Sequence, residues 1–360
     1  MRHHSLKKLY FFLLVIGCIS LQAQTARKYS NEFMNIGVDA AAFGMANSIV
    51  ASTDNVNAAY WNPAGLMQVK EQEIALMHAA YFANVASYDY AAFAMPIDKK
   101  SAFALSLIRF GVDDIMNTTE LIDNNGNIDY NRINLFSTAD YGFTFSYARE
   151  TSVKNLYFGA NAKIIRRVIG KFADSWGFGF DLGVQYKHHN WHFGLMARDI
   201  TTTFNTWSID KDRLEDIQNA IEGENQEIPE STEITLPKIQ LGAARNYRLS
   251  ENFSLLSEIN VHVRFAETND IISSSFASLT PSAGLQLSYT DLMHIRIGAG
   301  NFQDELQIDG VERISFQPNI GIGFHYKGIS IDYAITDIGD QSAALYSNVF
   351  SLRLNLNIFK

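Results

Sequence analysis

The sequence predicts an all-β fold: a transmembrane antiparallel β-barrel of about 14 strands with an N-terminal helical hatch inside it. Three observations lead there. Period-2 alternation recurs along the chain, as in Trp176, Phe178, Phe180, Leu182, Val184 and Tyr186 against Gly177, Gly179, Asp181, Gly183 and Gln185. Charged residues make up only 19% of the chain, below the roughly 25% usual in soluble domains, while 12% are aromatic. The alternating segments are joined by connections that are short and long by turns, as in an up-and-down barrel with tight turns at the periplasm and long loops outside.

Taken in order, residues 1–23 read as a secretory signal peptide. Arg2, Lys7 and Lys8 precede an apolar stretch, Leu9–Ile19, interrupted only by Gly17 and Cys18, and Leu21-Gln22-Ala23 ends on a small residue. The stretch is too short to cross a bilayer as a helix, which takes about 20 residues. Val15-Ile16-Gly17-Cys18 also has the form of a lipobox, so lipoprotein processing at Cys18 stands as the alternative to cleavage after Ala23. Both routes export the chain. Simple cleavage removes three basic residues, taking the net charge from -9 to -12, and with them the chain's 1 cysteine.

Residues 24–70 have another composition. Phe33–Met45 and Asp54–Leu66 are rich in alanine and punctuated by glycine without strand alternation, which predicts short helices and turns folded inside the barrel mouth. Asn62-Pro63-Ala64-Gly65 is the sharpest motif here. Asn-Pro fixes a turn, Pro63 locks one φ angle and Gly65 permits a positive φ, so the motif is expected to end a helix where the hatch meets the first strand.

From residue 71 to 360 the barrel follows. Its segments are Glu71–Phe82, Ala86–Pro96, Ser101–Phe110, Ala139–Arg149, Leu156–Ile169, Ser175–Lys187 and Trp191–Ile200, then Pro237–Arg248, Phe253–Phe265, Pro281–Tyr289, Met293–Phe302, Ile314–Tyr326, Ile329–Asp337 and Tyr346–Phe359. An even count returns both ends to one side. Ile97–Lys100, Glu150–Asn155, His188–Asn190, Ser250–Glu251, Thr290–Asp291 and Lys327–Gly328 are tight turns, whereas 111–138, 201–236, 266–280 and 303–313 are long outer loops. Within 201–236, Leu214, Ile217 and Ile221 fall at helical spacing before Gly223. Such a helix would serve as a lid over its own barrel or as a partner-binding surface, with Glu222, Glu224, Glu227 and Glu230 beside it to suit a basic partner.

Residues 33–67, and above all Asn62, Pro63 and Ala64, resemble the N-terminal signature of the PorV/PorQ family of Bacteroidota outer-membrane proteins, itself similar to the FadL fatty-acid transporters. The resemblance implies a FadL-like barrel in the outer membrane of a Gram-negative bacterium. It implies an accessory or carrier role in type IX protein secretion or a related multi-barrel assembly machine, with a large translocon or assembly barrel and secreted cargo signal domains as partners beside outer-membrane lipids. The FadL side implies instead transport of hydrophobic small molecules through a lateral gap.

Enzymatic chemistry is not expected, and neither is a cofactor. One cysteine excludes disulfides, Cys-based zinc sites and CxxC redox centres, and the acidic balance argues against a nucleic-acid surface. His188 and His189 sit in a turn, while His262 and His325 lie on polar strand faces, without a Ser-His-acid constellation. Asp210-Lys211-Asp212 with Glu215 lacks the glycine of a calcium loop, so no metal is expected. Arg166, Arg167, Arg264 and Arg296 are candidates for a cationic lumen that takes anionic ligands, but only Arg167, Arg264 and Arg296 alternate clearly with apolar neighbours, and pairing with Asp181 and Glu258 is the expected use.

Overall fold

The computed structural model describes residues 30–81, 85–118, 121–122, 126–210, 232–306, 311–336 and 346–359. The expected signal peptide and the Leu214, Ile217, Ile221 helix lie outside them.

The strands are β1 (Glu73–Tyr81), β2 (Ala86–Asp98), β3 (Ser101–Asn117), β4 (Asn134–Glu150), β5 (Leu156–Ile169), β6 (Ala173–His188), β7 (Trp191–Arg198), β8 (Thr203–Ile209) and β9 (Thr232–Thr235). They continue with β10 (Lys238–Arg248), β11 (Phe253–Arg264), β12 (Ile272–Ser273), β13 (Ser278–Tyr289), β14 (Met293–Leu306), β15 (Glu312–Tyr326), β16 (Ile329–Thr336) and β17 (Ser347–Asn355). Every pairing is antiparallel, and β17 pairs back onto β1 from Glu73↔Asn355 to Ala80↔Asn348, which closes the sheet. β7 with β8, and β9 with β10, are single wall strands in two pieces, and β12 is a flap on β13. The wall therefore has 14 strands, each of which the alternation located.

The six expected tight turns gather at the rim where β1 begins and β17 ends, while the short turn 170–172 between β5 and β6 lies at the other. At the opposite, outer rim the ladder outruns the alternation: β3 and β4 stay paired as far as Asn117↔Asn134, inside the stretch expected as loop. Leu135 and Met116 are exposed there, so the hairpin has no buried face to impress a period on the sequence. Lower down the period is clean. Phe143, Phe145, Trp176, Phe178, Ile297 and Ile320 point outward and are exposed, while Thr144, Ser146, Gly177, Asp181 and Asn319 point inward. That apolar belt suits lipid, which can satisfy no backbone group; a closed ladder leaves none unsatisfied.

Residues 30–70 form short helices, Ala40–Gly44 and Ala58–Trp61, and 3-10 turns, Glu32–Asn35 and Pro63–Gln68. They touch inward side chains of strands all round the ring, including Asn161 on β5, Gln185 on β6, Glu258 on β11, Ser282 on β13 and Ser351 on β17. A segment that meets every side of a closed ring fills its lumen. Its own core joins Phe33, Val38, Phe43, Trp61 and Leu66 to the apolar inner face of β1–β3, notably Met77, Tyr88 and Ile108.

Candidate functional site in the plugged lumen

Asn62 ends the helix Ala58–Trp61 in extended conformation and begins the turn Pro63–Gln68, with Pro63 in the first position where its missing N–H costs nothing. Its Oδ1 accepts from the Ala64 amide at 3.2 Å, and its Nδ2 donates to the carbonyls of Val50 (3.1 Å) and Val184 on β6 (3.0 Å). One fully buried amide thus ties two stretches of plug to the wall. Gly65 does not use a positive φ, contrary to the sequence expectation. It is small because a Cβ there would run into the Thr53 carbonyl and come within 3.0 Å of the Ala58 side chain.

The wall answers with glycines in register. Gly159 faces Gly183 across β5–β6, Gly194 faces Gly242 across β7–β10, and Gly284 faces Gly298 across β13–β14. A Cβ on the first pair would strike Asn62, Pro63 or Ala64, on the second Val50 or Ala51, and on the third Met45 or Ala46. Each pair is a flat seat on which plug backbone lies directly against wall backbone.

Between the seats, buried polar side chains hold the plug. Glu258 accepts from the Ala51 amide at 2.7 Å and the Ser52 amide at 3.1 Å. Lys163 bridges Asp181 (2.7 Å) and Asp199 (2.5 Å), all three buried. Arg198 donates to the Tyr60 carbonyl at 2.9 Å and lies 4.4 Å from the Tyr60 ring centre. Asp39 receives the Ser351 hydroxyl at 2.9 Å and caps Ala40–Gly44 through the Ala41 amide. Burial, with Asp332 adding to it, raises the Asp39 carboxyl above its ordinary range. These partners correct the expected arginine pairs. Asp181 belongs to Lys163 and Glu258 to plug amides, while Arg296 meets Asp332 at 2.6 Å and Arg167 meets Asp140 at 3.0 Å and Glu233 at 3.2 Å. Arg166 bonds Asp174 and lies 4.8 Å from the ring centre of the outward Trp176.

Beside this cluster the wall ladder breaks. Leu182 pairs with Ala197 and Phe178 with Phe204, so four steps on β6 are matched by seven on β7–β8. Asp199 and Thr202 take positive φ values of 54° and 60° in the surplus, and Pro237 interrupts the neighbouring strand between β9 and β10, where it has no N–H to give. It is the largest ladder irregularity among the described residues. Above it lies a cavity of about 490 Å³ between the first plug turn and the kinked hairpin, with Phe33, Ile36, Phe110, Ile169 and Trp207 as its apolar lining and Arg167, Asp140 and Glu233 at its polar side.

The motif residues Asn62, Pro63, Ala64 and Gly65 therefore come together at one wall seat, whereas Leu214, Ile217 and Ile221 lie outside the described residues. Lys163 and Asp199 and the paired seats went unnoticed in the sequence. Glycine at successive inward positions of β6, visible as Gly177, Gly179 and Gly183, was the available signal for the seats. Among the described residues no cluster of three or more His, Cys, Asp or Glu is placed to hold a metal ion.

No protein-family profile matches the sequence, and no curated protein matches it. Among solved structures the chain is similar to the Pseudomonas putida toluene transporter TodX, at 14% identity over 88% of this chain and 96% of that one, with a TM-score of 0.54. It is similar to a Pseudomonas aeruginosa FadL homologue at 12% identity over 88% and 98% with a TM-score of 0.50, and to the CymD monoaromatic hydrocarbon channel at 11% over 88% and 97% with 0.51. At such identities the likeness speaks to the fold alone, which is a closed 14-strand barrel of the FadL type.

Proposed function

We propose that the protein is a plugged outer-membrane channel that takes up hydrophobic small molecules and releases them sideways through its wall. The carrying observation is the coincidence of the break at Asp199–Thr202 with the partly apolar cavity above it. With plug backbone seated on the wall, a straight aqueous path down the lumen is blocked, so a solute entering from outside must leave through the wall. The cavity volume falls within the roughly 300–1,000 Å³ of small-ligand sites, and five of its lining residues offer apolar surface. The solved structures of similar fold named as hydrocarbon transporters and channels support the same reading.

The test is uptake of radiolabelled toluene and oleate by cells carrying Ile36→Trp, which narrows the cavity, or a deletion of Ile200-Thr201, which shortens the surplus in the ladder. Both should abolish uptake while the barrel keeps its heat-modifiable migration on gels. Unchanged uptake in both would overturn the reading. Filling Gly177, Gly179, Gly321 or Gly323 is not an equivalent experiment, because their Cβ atoms would strike Asn205, Thr203, Gly44 and Asp332 and break the packing rather than block a passage.

A second reading is the PorV-like accessory subunit of a Bacteroidota type IX secretion or multi-barrel assembly complex. What favours it is the firmness of the plug, seated on three glycine pairs and held by buried charges, which suits a static scaffold. Here the outer loops would carry partner contacts. Shortening 118–133 and 210–231 should then abolish co-purification of partners and leave uptake untouched, opposite to the pattern expected of a channel.

A further inference from the structure

The outward face of the wall carries a groove separate from the lumen. Across β10, β11, β13 and β14 the registers align Ala243, Ile259, Ala283 and Ala299 in one row, so three alanines take places filled elsewhere on this face by Phe, Leu or Ile. Ser257, between Arg245 and Leu285 in the row below, is small as well. The resulting depression measures about 560 Å³ and is walled by Ile259, Leu285 and Ile297. These three are 61%, 40% and 51% exposed, so the groove opens to whatever surrounds the barrel.

Arg245 stands at its periplasmic end, opposite Trp191 on β7, a few residues above the turn that joins β10 to β11. Its guanidinium carbon lies 5.0 Å from the Trp191 ring centre and 4.7 Å from that of Tyr247, so the two rings hold it in place. Its Nε is buried without a hydrogen-bond partner among the described residues, and no carboxylate there forms an ion pair with it. Arg166, outward near the opposite rim, does have such a partner in Asp174. An unpaired cation on the lipid face is unfavourable, and least so near the interface, where it can meet an anionic headgroup.

We propose that this groove binds one glycerophospholipid of the periplasmic leaflet, its phosphate on Arg245 and an acyl chain along the floor made by Ala243, Ala283 and Ala299. The charge at one end and the apolar trough running from it match an amphiphile with an anionic head. Guanidinium forms bidentate hydrogen bonds to phosphate oxygens, and of the Arg245 nitrogens only Nε is buried without a partner, which leaves the two terminal nitrogens to supply them. A neighbouring protein wall is the competing occupant, but it would bring no obligatory anion to Arg245. The proposal needs only that the barrel sits in a membrane, so it stands apart from the uptake reading.

Native mass spectrometry of the mature chain, reconstituted with palmitoyl-oleoyl phosphatidylglycerol and released from non-ionic detergent, tests it. The wild type should retain one lipid under activation that strips the rest. Arg245→Gln should hold it roughly tenfold more weakly, Arg245→Lys should recover part of the loss, and Ala283→Trp should weaken retention with Arg245 in place. Heat-modifiable migration identifies the folded variants, and any one that fails to fold leaves the other two to carry the comparison. Equal retention in the wild type and the folded variants would overturn the proposal. So would a wild type that releases every lipid, or one that keeps a second protein at the groove in its place.

Discussion

Gly159 and Gly183 stand opposite one another across the β5–β6 ladder, and the Asn62-Pro63-Ala64 turn rests on the space their missing side chains leave. A Cβ on Gly159 would meet plug backbone at Pro63 and Ala64, and one on Gly183 would meet the Pro63 ring and the Asn62 amide, which is buried and hydrogen-bonded at both ends, so neither contact relaxes by a free rotamer change. Such overpacking typically costs about 1–3 kcal/mol. The ladder itself does not need the glycines. Gly159→Val with Gly183→Val should therefore leave a heat-modifiable barrel in which residues 33–66 become protease-sensitive. Wild-type digestion kinetics in that variant would show that the seat does not hold the plug.

Lys163 answers two carboxylates, Asp181 and Asp199, in a site closed to solvent. Removing one partner of a buried ionic group costs roughly 3–5 kcal/mol because the remaining charge has nowhere to go. Lys163→Met should lower stability on that scale, read as the urea midpoint of tryptophan fluorescence. Adding Asp181→Asn and Asp199→Asn should recover most of the loss. A triple variant no more stable than the single one would mean the cluster is not electrostatically coupled.

Strand alternation made the barrel legible because a wall with lipid on one side and a packed lumen on the other imposes a period of two, as Trp176 and Phe178 against Gly177 and Gly179 show. The period fades where both faces are wet, so the upper parts of β3 and β4 read as loop. The site was half visible. Asn62-Pro63-Ala64 stood out as local turn chemistry, but what it turns against did not. Gly159 lies 24 positions before Gly183 and almost a hundred after Pro63, and only the closed register brings the three together. Pairing of charges failed for the same reason. Asp181 is opposite Asn161, so Lys163 reaches it on the diagonal, and the strand break then delivers Asp199, a combination no spacing in the sequence encodes.

Lipid-facing positions should differ by depth. Ile320 is outward on β15, opposite Ile297, well above the turn at Lys327 and Gly328. Leu354 pairs with Ile329, the first residue after that turn, and so lies at the periplasmic rim. Arginine near the bilayer midplane of such barrels costs about 2–4 kcal/mol and near the interface about 0–1. Ile320→Arg should therefore reduce folded barrel in membranes markedly, while Leu354→Arg should be tolerated, as judged by the heat-modifiable fraction in outer-membrane extracts. Equal losses at both positions would contradict the placement of the membrane.

Asp39 offers a test of the plug through pH. Burial raises its carboxyl above the ordinary value of 3.8, and Asp332 adds to the rise. A carboxyl that holds its proton more tightly in the folded state than in the unfolded one gives the folded state an advantage at low pH. That advantage is lost as pH rises from the ordinary value through the raised one, and above both the folded state carries the full cost of ionising Asp39. Asparagine has no proton to lose, and its Oδ1 can still accept from the Ser351 hydroxyl and the Ala41 amide. Asp39→Asn should match the wild type below about pH 4 and exceed it in stability by pH 7, the gap opening in between. Urea midpoints collected across that range check it. Parallel pH profiles for the two proteins would show that the Asp39 carboxyl does not titrate abnormally in the folded barrel.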